Sequence, residues 1–185
     1  ARPDLAGLIA GDTEHHRFIS WAELLTMQFP EPVWAIPKLL PVGLTFLAGR
    51  PKLGKSWLAL QIAQAVATGG VALGERVQRG NVLYLALEDS LCRIRERGKL
   101  QGMPPNAAVA FADRWDALMM GGLATLQAEL DRTRPRLVVL DTFSRVAGNA
   151  DQQDVSEMTA ILANLQRAAQ DHNAAILCID HHRKR

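Results

Sequence analysis

Residues 49–56 read Gly-Arg-Pro-Lys-Leu-Gly-Lys-Ser and match the phosphate-binding pattern G-x-x-x-x-G-K-[ST] at every fixed position. In a loop of this type, backbone N–H groups surround phosphate oxygens, and the glycines permit the close approach and the unusual φ values that this requires. An apolar run at 44–48 precedes the loop, and a helix is predicted from Ser56 onward. Because a helix N-terminus favours anions, the stretch predicts a strand–loop–helix unit that binds a nucleotide.

The side chains of this loop predict ATP with Mg²⁺ as the ligands. We expect Lys55 to reach the β- and γ-phosphates and to act in catalysis, and the Ser56 hydroxyl to join the magnesium shell. A glycine turn with an incidental lysine is the alternative interpretation. The predicted nucleotide-binding residues are the loop and the residue after it: Gly49, Arg50, Pro51, Lys52, Leu53, Gly54, Lys55, Ser56 and Trp57.

The composition predicts one globular core in a cytoplasmic protein. A chain of 185 residues with 48% hydrophobic content can bury one good core but not two. The formal charge of +2 gives no global positive field that would indicate nucleic acid. Cys92 and Cys178 have no metal-ligand spacing and suit a reducing cytosol. No apolar run approaches eighteen residues and no signal-peptide pattern is present, so no contact with a membrane is predicted.

Residues 1–40 differ from the rest of the chain in their sequence pattern, and we predict that they form an N-terminal arm, not a second domain. Ser20-Trp21-Ala22-Glu23 is a capping box that opens a short helix through about Met27. Prolines at 30, 32, 37 and 41 then break any helix and hold the lead-in extended. The predicted organisation is therefore an arm at 1–40 and a core at 41–185.

Strand-like and helix-like segments alternate throughout the predicted core. Apolar runs predict strands at 44–48, 81–87, 136–140 and 175–179, with a short one at 109–111, and helical patterns separate them. This order implies an α/β fold with a mainly parallel twisted sheet and helices on both faces. Ligands in such sheets bind beyond the carboxyl ends of the strands, so the residues that end each strand are candidate site residues.

Two strands end in carboxylates that suit nucleotide hydrolysis. Asp141 follows the apolar run 137–140, where a carboxylate orders Mg²⁺ and its waters, although an Asp after a strand can also be a helix cap. Glu88 directly follows the strand that ends at Leu87, and a carboxylate there suits orientation or deprotonation of the attacking water. Ser90 can cap the next helix, although Asp89 is the favoured cap of a helix that starts near Ser90. The alternative is that both are helix-start carboxylates stabilised by the helix dipole.

The last strand ends in Asp180-His181-His182. Neighbouring residues of a strand point to opposite faces and no third ligand is near in sequence, so the pair is not predicted to bind metal. A polar donor that senses the γ-phosphate is the favoured interpretation.

Four segments together resemble one protein family in their order and spacing: 49–56, 85–90, 137–142 and 181–184. The chain resembles the RecA-like ATPases of the plasmid RepA type, which are relatives of hexameric replicative helicases. The stretches 33–37 and 141–145 resemble this family too, so the likeness covers roughly residues 33–184. It implies the RecA-like P-loop NTPase fold, ATP and Mg²⁺ as ligands, assembly of identical subunits into a hexameric ring, and single-stranded DNA as a partner.

The resemblance also assigns roles to individual residues. It implies that Glu88 is the catalytic glutamate, that Asp141 belongs to the second nucleotide-binding motif, and that His182 is the γ-phosphate sensor. His182 is preferred over His181 because it occupies the position where other RecA-like proteins carry a sensing glutamine. In the family, further strands follow this motif and carry an arginine that reaches the neighbour's ATP site and loops that contact DNA. The sequence stops at Arg185, so we expect the core to be incomplete at its C-terminus.

Three functions are compatible with these features. The favoured one is a ring-forming ATPase that couples hydrolysis to work on DNA as a helicase or helicase-like replication factor. The alternative is an ATP-dependent DNA-binding or regulatory module without unwinding activity. A small-molecule kinase is the third, since phosphate loops serve kinases too, but no arginine-rich lid segment that would close over an acceptor is evident.

Overall fold

The computed structural model describes residues 18–148 and 155–181. The described chain divides into two compact units, with the division between Glu31 and Pro32. The helices are α1 (Trp21–Thr26), α2 (Lys55–Thr68), α3 (Leu91–Leu100), α4 (Gly122–Thr133), α5 (Phe143–Ala147) and α6 (Val155–Asp171). The strands are β1 (Trp34–Ile36), β2 (Leu40–Pro41), β3 (Gly43–Gly49), β4 (Val71–Ala72), β5 (Glu75–Arg76), β6 (Val82–Ala86), β7 (Val109–Ala112), β8 (Leu137–Asp141) and β9 (Ala175–His181).

The first unit contains the predicted capping box. Ser20 is the N-cap of α1, and its Oγ accepts a hydrogen bond from the N–H of Glu23 at 3.2 Å. None of the α1 side chains is buried. The short helix begins where the sequence predicts and ends one residue before Met27.

The second unit is built on a five-stranded parallel sheet in the order β3-β9-β8-β6-β7. The strands β6 and β8 are buried along their whole length, because helices cover both faces, which explains their unbroken apolar runs. Alternate residues of each strand serve opposite faces. In β8, Leu137 and Val139 join the core cluster that contains the buried side of α2, whereas Val138 and Leu140 join the cluster that contains α4 and α6. The predicted α/β fold is confirmed.

The sheet order places β9 between the strand of the phosphate loop and the strand that ends in Asp141. Asp141 is paired in register with Ile179, and β9 continues two residues beyond that pair to His181, which is level with Gly49. Three strand ends therefore meet at one edge of the sheet, and this convergence positions the site.

The proline-rich lead-in packs more closely than an extended connection. β1 and β2 form an antiparallel pair around a turn that contains Pro37, and the N–H of Leu39 donates to the carbonyl of Ile36. Ala35, Ile36 and Leu40 are buried in the same core cluster as α2. Residues before 41 thus contribute to the packed core. Two further elements, the β4–β5 hairpin and α5, are too short to leave a periodic pattern in the sequence.

Within residues 18–148 and 155–181, none of the helices combines the length with the apolar character needed to cross a membrane.

Candidate functional site

The loop between β3 and α2 opens onto a cleft of about 490 Å³ at the carboxyl edge of the sheet. Gly54 is the N-cap of α2 and has φ +83°, a left-handed conformation that side-chain-bearing residues rarely adopt. The helix that follows is 14 residues long and directs its first N–H groups toward the loop. Lys55, Ser56, Glu88, Asp141 and His181 all line this cleft. The structure therefore brings together the described residues that the sequence predicts for nucleotide chemistry.

Lys55 is held by three acceptors at the floor of the cleft. Its Nζ donates to the carbonyls of Gly49 and Arg50, both at 2.9 Å, and lies 3.0 Å from Nδ1 of His181. An ammonium group has three N–H donors, so all three are engaged. The side chain is only 7% exposed, and these contacts fix the cation within the loop.

Ser56 and Tyr84 bind the two oxygens of the Asp141 carboxylate. The Ser56 hydroxyl donates to Oδ1 at 3.2 Å, and the Tyr84 hydroxyl donates to Oδ2 at 2.8 Å. Burial, followed by the nearby charge of Asp141, raises the pKa of Tyr84 well above its usual value, so the phenol stays protonated and remains a donor. Tyr84 was not predicted from the sequence, where it is one member of an apolar strand.

Asp141 is a carboxylate with only 2% of its surface exposed. Burial raises its pKa, the hydrogen bonds from Tyr84 and Ser56 lower it, and the charge of Glu88 raises it further, with a net increase. A buried carboxylate beside a hydroxyl offers oxygen donors only, which is the chemistry that Mg²⁺ prefers, and a cation here would offset the cost of burying the charge. Asp141 and Ser56 therefore fit the predicted magnesium site.

His181 connects Lys55 to Glu88. Its Nε2 lies 2.9 Å from Oε2 of Glu88, while its Nδ1 faces the Lys55 ammonium. Because an ammonium can only donate, we assign Nδ1 as the acceptor from Lys55 and Nε2–H as the donor to the Glu88 carboxylate. His182, the predicted γ-phosphate sensor, lies outside the described residues, and its role stays a prediction.

Asp89 does not cap α3, contrary to the sequence prediction. Ser90 is the N-cap, with Oγ accepting from the N–H of Arg93, and the Asp89 carboxylate instead forms ion pairs with Arg93 and Arg97. The Arg97 guanidinium lies over the Trp57 ring at 5.5 Å from its centroid. Arg93 and Arg97 of α3 thus line the cleft from one side.

The position of His181 carried a signal that sequence reasoning did not use. Leu177 and Ile179 belong to the core cluster that contains α2, and His181 continues the same alternation toward the phosphate loop. The sequence does not reveal which strand lies beside β3, and without the strand order the two histidines could not be separated.

We expect Asp141→Asn to reduce the magnesium dependence of ATP binding, because an amide lacks the charge that orders a metal and its waters. ATP binding measured by calorimetry at increasing MgCl₂ concentrations should show an apparent magnesium affinity that is lower by roughly tenfold or more. Asp131→Asn is the control, since that carboxylate is exposed on α4. An unchanged magnesium titration in Asp141→Asn would count against the assignment.

Thermal melting separates this effect from unfolding. The pKa of Asp141 is higher in the folded chain than in the unfolded chain. At a pH above the folded-state pKa the ionised carboxylate therefore lowers the free energy of unfolding, and this loss is absent at a pH below the unfolded-state pKa. Asn removes this loss, so at neutral pH the metal-free variant should melt no lower than the unsubstituted chain.

Comparison with known proteins agrees with this geometry. Residues 11–185 match the family described as AAA domain. The chain is 25% identical over 146 residues to the DNA repair protein RadA of Streptococcus pneumoniae, a match that covers 77% of this chain and 31% of the relative. It is 26% identical to the DNA repair protein RadA of Mycobacterium tuberculosis, over 77% of this chain and 28% of the relative. The chain thus spans less than a third of the length of these relatives.

A solved structure, described as the crystal structure of the RadB recombinase, has a similar fold. It superposes with a TM-score of 0.52 at 22% identity and covers 77% of this chain and 62% of that chain. Together with the parallel sheet and the phosphate loop, this neighbour identifies the fold as a RecA-like α/β P-loop NTPase.

Proposed function

The chain belongs to the AAA domain family, and on that premise we propose that it is a magnesium-dependent ATPase that couples ATP hydrolysis to work on DNA. The finer assignment within the proposal is the plasmid RepA type, in which identical subunits form a hexameric ring around single-stranded DNA and act as a helicase or helicase-like replication factor.

The observation that carries the ATPase proposal is the convergence of three kinds of group on one cleft. Lys55 supplies a cation, Asp141 with Ser56 supplies oxygen donors for a metal, and Glu88 supplies a carboxylate open to water. Glu88 has 44% of its side chain exposed, so water reaches it freely. Phosphoryl transfer depends on positioning and on charge stabilisation more than on covalent chemistry. These three groups supply both requirements.

The roles follow from the position of each group. The loop backbone and the start of α2 bind the phosphates, and Lys55 stabilises charge on the β- and γ-phosphates. Glu88 orients a water for attack and accepts its proton as general base. Mg²⁺, held by Ser56 and Asp141, would neutralise charge on the β- and γ-phosphate oxygens. Tyr84 fixes the Asp141 carboxylate from behind through its hydroxyl.

Trp57 and Arg97 also line the cleft. Their cation–π contact forms an edge beyond the phosphate loop, and Gln101 stabilises it by donating to the carbonyl of Trp57 at 2.9 Å. A planar guanidinium supported in this way suits contact with an aromatic base. This arrangement supports a nucleotide, as opposed to a simple phosphate, as the ligand.

Two lines of support favour DNA as the partner. Two relatives of the chain carry the name DNA repair protein RadA, and the sequence resembles relatives of replicative helicases. The formal charge of +2 is small, so contact with DNA would depend on positive groups gathered by assembly in a central channel.

Steady-state ATPase activity measured against protein concentration, with and without single-stranded DNA, tests this proposal. A ring ATPase should show specific activity that rises with concentration as sedimentation shows assembly, and single-stranded DNA should raise turnover several-fold. Fast turnover by a strict monomer that ignores DNA would instead favour a self-contained ATPase or a kinase. Nucleotide-dependent DNA binding without strand separation would select the regulatory module over the helicase.

A further inference from the structure

We propose that His181 is a positioning residue that competes with phosphate for Lys55 through Nδ1 and holds the Glu88 carboxylate through Nε2. The inference rests on the proposed ATPase function and concerns how nucleotide binding is coupled to the general base. It differs from the role of a γ-phosphate sensor, which would contact the nucleotide directly.

The first step is the count of donors on Lys55. Its three N–H groups are engaged by two carbonyls of the phosphate loop and by His181. A phosphate oxygen that bonds to Lys55 must therefore replace one of these acceptors. The two carbonyls belong to the loop backbone, whereas the His181 imidazole is a side chain at the end of β9 and turns about its own torsions. His181 is the acceptor that a phosphate displaces most readily.

The second step is the other nitrogen of the same ring. Nε2–H donates to Oε2 of Glu88 at 2.9 Å, so movement of the ring away from Lys55 carries this donor, and the carboxylate bound to it, to a new position. No other hydrogen-bond donor contacts the Glu88 carboxylate among the contacts described for residues 18–148 and 155–181. The position of the general base is therefore linked to the occupancy of Lys55 through one imidazole.

This linkage predicts effects of opposite sign on two quantities. Loss of the Nδ1 contact removes a competitor for Lys55, so ATP should bind more tightly. Loss of the Nε2 contact leaves Glu88 without its donor, so hydrolysis of bound ATP should slow. A residue that contacted the γ-phosphate directly would show the reverse effect on binding, because its removal would weaken the binding of ATP.

Two amide substitutions separate the two nitrogens. In His181→Asn, the amide lies at the position of Nδ1 and can still accept from Lys55, but it does not reach Glu88. In His181→Gln, the amide lies at the position of Nε2 and can donate to Glu88, but the acceptor beside Lys55 is lost. His172→Asn is the matched control, because His172 also contacts a carboxylate, that of Asp131 at 3.1 Å, but lies outside the cleft.

The measurements are calorimetric affinity for the slowly hydrolysed analogue ATPγS and single-turnover hydrolysis of ATP, both on the 185-residue chain. His181→Gln should bind ATPγS roughly tenfold more tightly or better, as expected for removal of one competing hydrogen bond to a charged group, with turnover close to that of the unsubstituted chain. His181→Asn should retain its affinity and lose on the order of tenfold in single-turnover rate.

Weaker ATPγS binding in His181→Gln would overturn the inference and make His181 a phosphate contact. Equal loss of affinity and rate in both variants, accompanied by a lower melting temperature, would reduce His181 to a structural residue and also overturn it. If the unsubstituted chain bound no ATPγS, the proposed ATPase function itself would fail. Failure of the coupling alone would leave binding and hydrolysis by the unsubstituted chain intact.

Discussion

Lys55→Ala is expected to reduce the affinity for ATP by roughly tenfold to a hundredfold. The ammonium lies at the floor of the cleft, where phosphates would meet it, and hydrogen bonds to a charged group contribute about 1.5–3 kcal/mol each. Since each 1.4 kcal/mol corresponds to about a factor of ten in affinity, the loss of this group alone is large. Calorimetry with ATP and Mg²⁺ measures the change directly.

The fold should survive this substitution. Lys55 contacts the carbonyls of Gly49 and Arg50 at the floor of a cleft that opens to solvent, so water can replace the ammonium as a donor. Lys99→Ala is the control, because Lys99 is an exposed lysine on α3 that pairs with Glu96 and does not line the cleft. Equal ATP affinity in Lys55→Ala and Lys99→Ala would remove the phosphate loop from the proposed function.

The sheet could be predicted from the sequence because each central strand carries its own signal. β6 and β8 are covered on both faces, and full burial produces a continuous apolar run. Such a run can be recognised without knowing which strands are adjacent in the sheet. Asp141, which ends β8, and Glu88, which lies two residues after β6, could be assigned to the site for the same reason. Parallel strands linked by right-handed crossovers place their carboxyl ends at one edge.

Strand order and side-chain direction could not be predicted in the same way. β9 lies between β3 and β8, and only that insertion brings His181 within reach of both Lys55 and Glu88. Periodicity describes one element at a time, whereas this contact joins residues 126 positions apart along the chain. The family resemblance favoured His182, because a motif compares positions along the chain and carries no information on which strands are neighbours in the sheet.

The contacts of the long basic side chains could not be predicted from the sequence either. A helix with several arginines is usually solvated on that face, yet Arg97 has only 21% of its side chain exposed and pairs with Asp89. Asp89 is thereby free from the role of helix cap, which Ser90 fills one residue later. Sequence patterns fix helix ends only to within a residue or two, so the sequence could not decide between Asp89 and Ser90 as the cap.

Glu88→Gln is expected to reduce the hydrolysis of bound ATP on the order of a hundredfold or more, while ATP affinity stays nearly unchanged. The amide is the same size as the carboxylate and still accepts a hydrogen bond from Nε2–H of His181, so the side chain keeps its place. What it loses is the ability to take a proton from water. Single-turnover hydrolysis with protein in excess, together with equilibrium binding of ATP, separates the two quantities.

Glu96→Gln is the matched control for this experiment. Glu96 is an exposed carboxylate on α3 whose partners are Arg95 and Lys99, so its substitution should change neither quantity. If Glu88→Gln instead lost ATP binding and hydrolysed each bound ATP at the original rate, Glu88 would be a binding residue and the general base would have to be sought elsewhere in the cleft. The carboxylate of Asp141 does not suit that role, because only 2% of its surface is exposed and the proposal assigns it to the metal. Asp89 could not take it either while Arg93 and Arg97 pair with its carboxylate. Glu88 is therefore the carboxylate in this cleft whose second oxygen is open to a water molecule.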